Sequence, residues 1–136
     1  MPIRDIKNDL ETKVVLAQLI NSDTTSVGAI IDTQGLDRGL LYTILSTSRT
    51  DGTYTPLIEE GDASNLSDAS AVADANLIGT EAAAALSADT TDGTVLKSIG
   101  VIGTKRYLRL SIVSTSVTTG ATIAVVAVYS KNELKV

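Results

Sequence analysis

The stretch Lys105-Arg106-Tyr107-Leu108-Arg109-Leu110-Ser111-Ile112-Val113 alternates residue by residue. Arg106, Leu108, Leu110 and Ile112 fall on one side, and Lys105, Tyr107, Arg109 and Ser111 on the other. Successive side chains of a β-strand point to opposite faces, so this pattern predicts a strand with one apolar face in a core. Residues 40–45 read the same way but are apolar on both sides, with Leu40, Tyr42 and Ile44 against Leu41 and Leu45. That suits a central strand of a sandwich. Residues 121–129 (ATIAVVAVY) are also apolar on both faces. Such a strand is buried from both sides or covered by a partner.

Working outward, residues 14–20, 27–31, 53–58 and 95–102 are further strand-length runs; residues 53–58 read as the strand returning after the Asp51-Gly52 hairpin turn, and Pro56 places it at a sheet edge. Between them lie turn signals at 22–26, 32–35, Asp51-Gly52, Asp92-Gly93 and Gly103-Thr104. Short strands broken by regular turn signals predict an all-β fold: an antiparallel β-sandwich or jelly-roll-like single domain over residues 14–136. Residues 1–13 read as an N-terminal arm, with Ile3, Ile6 and Leu10 at helical spacing among charged neighbours. Their functional reading is a segment that packs on a neighbouring subunit, and the bland one is a frayed terminus. Residues 59–92 change character to Asp, Ser and Ala and form a long acidic loop. Within it, residues 81–86 (EAAAAL) suit a helical turn or a packed loop equally. A long excursion in a small β domain is usually functional or a partner surface.

Composition narrows the chemistry. The chain has 136 residues, no Cys, no His, no Trp and no Phe, and its only aromatics are Tyr42, Tyr54, Tyr107 and Tyr129. The length suits one domain with one core. Without Cys there is no disulfide framework and no thiolate nucleophile. Without His the commonest general base and transition-metal ligand are missing. The net charge of −5 argues against nucleic acid as a partner. No apolar run reaches 18 residues, so no membrane span is expected, and the charged N-terminus does not read as a signal peptide. Charge is split along the chain: residues 51–92 hold nine acids and no base, residues 93–136 six bases and one acid. The two segments can pair within one chain or between copies, where such complementarity sets register.

Two charged clusters are candidate interaction sites. Glu59, Glu60 and Asp62, with Asp68, form the densest carboxylate group. Paired carboxylates serve glycosidases and calcium sites, but this cluster has no sugar-stacking aromatic beside it and does not fit an EF-hand, because Leu66 falls at a ligand position. It reads as a solvated loop. Lys105, Arg106 and Arg109 form the basic cluster and read as ion-pair partners for the acidic segment, not as a phosphate site. Gly100 to Lys105 is not a phosphate-binding loop. The sequence assigns no catalytic residue, no metal ligand and no cofactor.

Several stretches, in order, resemble small structural proteins of tailed bacteriophages and prophages. They are Ile31-Asp32-Thr33-Gln34-Gly35-Leu36, residues 50–60 (TDGTYTPLIEE), residues 77–82 (LIGTEA), residues 99–109 (IGVIGTKRYLR) and the closing strand 120–128. The resemblance spans residues 14–130. It implies a non-enzymatic virion protein, made in the host cytoplasm and placed on the capsid surface as a decoration (cement) protein. It also implies the major capsid protein as partner and a homo-oligomeric state, for which a trimer fits as well as other rings. The resemblance implies structural roles for turn glycines and strand positions and carries over no catalytic residue. Other readings are a head fibre or spike base, a head–tail joining protein, and a carbohydrate-binding sandwich, which the lack of Trp and scarcity of Tyr disfavour.

Overall fold

The computed structural model describes Lys7 and residues 10–34, 40–46, 49–87, 97–102 and 105–130. Among these described residues, nine strands make two antiparallel sheets: β1 (Leu10–Ile20), β2 (Thr25–Asp32), β3 (Leu40–Ser46), β4 (Thr53–Gly61), β5 (Ser70–Ala71), β6 (Leu77–Ile78), β7 (Lys97–Val101), β8 (Tyr107–Thr115) and β9 (Ala121–Ser130). Sheet A has the order β1-β9-β3-β7-β6 and sheet B the order β2-β8-β4-β5. The first four strands therefore alternate between the sheets. Setting aside the two-residue β6, β1-β9-β3-β7 facing β2-β8-β4-β5 is the jelly-roll order. The expected antiparallel sandwich is the fold observed.

The alternation seen in the sequence maps onto the two faces of each sheet. In β8, Leu108, Leu110 and Ile112 are buried, while Tyr107 and Arg109 face outward. Arg106 lies ahead of the strand at the surface. In β3, Leu40, Tyr42 and Ile44 are buried and Leu41 is exposed. In β9, Ala121, Ile123, Val125 and Ala127 are fully buried, while Thr122, Ala124, Val126 and Val128 face outward. The core between the sheets is thus aliphatic, with Tyr42 and Tyr54 as its fully enclosed rings.

Three sequence expectations change. The arm boundary at residue 13 gives way: Leu10 to Lys13 pair with β9 from Leu10↔Ser130 to Lys13↔Ala127, so these four residues belong to β1. The Asp51-Gly52 turn does not close a hairpin, because β3 and β4 belong to different sheets. Pro56 is not on a free edge strand, since β4 lies between β8 and β5. The proline is tolerated for a local reason. The neighbouring even-numbered amides of β4 point away from β8: Tyr54 N–H donates to the Leu86 carbonyl (2.9 Å) and Ile58 N–H to Glu81 Oε1 (2.9 Å). Pro56 sits in that row, where β8 asks nothing of its nitrogen.

The acidic excursion is a wall of the sandwich. β5 joins sheet B at Glu59↔Ala71, and β6 joins sheet A at Leu77↔Val101. Leu66, Val72, Leu77, Ala84 and Leu86 are buried. Of the two readings for residues 81–86, the packed loop is the one found, turned by Ala84 N–H donating to the Thr80 carbonyl and pinned by the Tyr54–Leu86 bridge. The Asp92-Gly93 and Gly103-Thr104 turns lie outside the described residues.

Gly120 opens β9 at φ +105°, and a β-carbon there would run into the Ile20 carbonyl. Gly79 has a similar φ of +101°, yet the nearest heavy atom to its β-carbon position is 4.0 Å away. Gly79→Ala therefore carries backbone strain alone, about 1–3 kcal/mol, whereas Gly120→Ala adds the collision with β1. Urea unfolding should show Gly120→Ala destabilised by at least about 1 kcal/mol more than Gly79→Ala; equal losses would contradict the close approach.

Candidate interaction surfaces

The charged residues gather at one end of sheet B as three ion pairs. Lys105 Nζ lies 3.1 Å from Asp62 Oδ2, and Arg109 Nη2 lies 2.7 Å from Glu59 Oε1. Arg106 donates from Nε and Nη2 to the two Asp32 oxygens, each at 2.8 Å, and stacks 5.0 Å from the Tyr107 ring centroid. Strand register makes the middle pair: Glu59 is directly opposite Arg109 across β4 and β8, on the outer face. The Arg109–Glu59 pair is about one-fifth exposed, so it is screened less than the other two. Lys105 and Arg109 meet the acidic segment within the chain, as the charge split suggested, while Arg106 finds Asp32 instead.

The carboxylate cluster is taken apart by the fold. Successive strand positions send Glu59 outward to Arg109 and Glu60 inward, where it is buried. Asp68 accepts from the Asp62 and Ala63 amides at 2.9 and 3.2 Å and closes the loop after β4. Among the described residues, no group of three Asp, Glu, His or Cys side chains is placed to hold a metal ion. Ile3 and Ile6 lie outside the described residues. Leu10 is half-buried at the start of β1 opposite Ser130.

Residues that the sequence reading passed over organise the opposite end of the molecule. Asp51 Oδ1 accepts from the amides of Thr118, Thr119 and Gly120 at 3.0 to 3.1 Å, and Asp23 Oδ1 accepts from Val117 N–H at 2.8 Å. Two carboxylates from two sheet-crossing turns thus hold the loop between β8 and β9. Buried Ser114 joins them, accepting from Thr24 N–H (3.0 Å), with its hydroxyl 2.8 Å from the Ser22 carbonyl. The signal for Asp51 was present as Asp-Gly, but it was read only as a turn.

The outer face of sheet A is different in kind. By register its outward positions are Thr12, Val14, Ala17 and Leu19 on β1, then Thr122, Ala124, Val126 and Val128 on β9. Leu41, Thr43 and Leu45 follow on β3, Ser98 and Gly100 on β7, and Ile78 on β6. None is ionisable. Val14, Leu19 and Ile78 are 60, 59 and 64 % exposed. Leu41, Ile78, Ser98, Gly100 and Ile102 line a shallow groove of about 400 Å³. The tyrosines take no part: Tyr42 and Tyr54 are in the core, Tyr129 packs against the core from β9, and Tyr107 lies under Arg106. A large uncharged face of this kind marks an association surface.

No protein family, no curated protein and no solved structure matches the chain.

The carboxylates give a pH dependence. Hydrogen bonds from Arg106 hold Asp32 down at about 2. Backbone amides of Thr118 and Thr119 lower Asp51, and those of Asp62 and Ala63 lower Asp68. Each group binds its proton more weakly folded than unfolded. Its stabilisation is therefore complete above the unfolded carboxylate range, about pH 4, and is lost as pH falls towards 2. Melting temperature should be level from pH 7 to 5 and drop between 4 and 2. Asp51→Asn should lower it at pH 7 and make the acid drop shallower; an unchanged acid profile would show that the loop does not depend on this charge.

Proposed function

We propose that the chain is a non-enzymatic structural protein of a phage virion, binding the outside of the capsid and stabilising it as a decoration (cement) protein. Its partner is the major capsid protein, and it acts as a homo-oligomer. The observation that carries this reading is the uncharged outer face of sheet A on a rigid jelly roll. This is a surface fitted for packing, on a domain whose candidate cations Lys105, Arg106 and Arg109 are each held in an ion pair within the chain. Jelly rolls serve many roles, lectins and capsid proteins among them. The resemblance over residues 14–130 favours the virion, and the enclosure of Tyr42 and Tyr54 disfavours a sugar-stacking role.

The mechanism in this reading is additive. Each copy contributes modest contacts, and a lattice of identical sites multiplies them. Binding to the assembled shell in turn adds to the stability of the domain by mass action. The acidic total keeps the unassembled protein soluble.

The test is the copy number of this chain in purified particles, by quantitative mass spectrometry against the major capsid protein. Hundreds of copies per particle are expected. About a dozen would move the chain to a unique vertex or to the tail, as a fibre base or joining protein. Its absence from particles would overturn the virion reading.

A further inference from the structure

We draw no further inference here: the strongest candidate, the shallow groove on the outer face of sheet A lined by Leu41, Ile78, Ser98, Gly100 and Ile102, belongs to the surface already given to the proposed partner, and nothing in the structure shows what covers it.

Discussion

The placement of β9 between β1 and β3 is the contact on which the sandwich depends. It joins the first described strand to the last, with ten paired positions from Leu10↔Ser130 to Ile20↔Ala121. It also supplies the floor of the core through Ala121, Ile123, Val125 and Ala127. The alternation of small and branched residues in that row is what admits Tyr42, which sits directly opposite Ala127 and is fully enclosed. Enclosure raises the Tyr42 phenol well above its ordinary value, since the ionised form would lose its water. Because β9 comes last, sheet A cannot close until nearly the whole chain is available. Folding of this topology is governed by non-local pairing and is slow for its size.

The strands themselves were legible because alternation is a local property. Leu108, Leu110 and Ile112 announce a buried face however distant its partner, and residues 40–45 announce a central strand that indeed lies between β9 and β7. Which sheet each strand joins is not local. Asp51-Gly52 is chemically a turn in either case, but here it carries the chain across from sheet A to sheet B instead of back along it. The same limit hid the excursion. Its charge and its Ala-rich run are visible, while the burial of Leu66, Val72 and Leu86 depends on an open edge of β4 that exists only after folding. The ion pairs were half legible. The charge split pointed Lys105 and Arg109 to the acidic segment, and only register makes Glu59 the residue opposite Arg109 and sends adjacent Glu60 to the other face.

Electrostatics and hydrophobicity are thereby sorted onto different faces. At one end of sheet B, three cations are matched to three carboxylates, while at the other end of the molecule Asp23 and Asp51 are spent on backbone amides. Among the described residues, the outward face of sheet A carries no such device. Its outward residues are Val, Leu, Ile, Ala, Thr, Ser and Gly, the same classes that fill its core. A strand apolar on both faces is the mark of a sheet covered on both sides, and among the described residues only the inner side of this sheet is covered.

That asymmetry bears on stability. With no Phe or Trp and two of four tyrosines in the core, each buried residue contributes the modest area of an aliphatic side chain. Folding of a chain this size is marginal. Covering the outer face of sheet A would remove further apolar area from water and so add to that margin. In the proposed role, attachment to a shell acts on the same free-energy balance, because it engages the native state and draws the equilibrium towards it. A core built from small residues and a sheet left apolar on its second face are then two results of one composition.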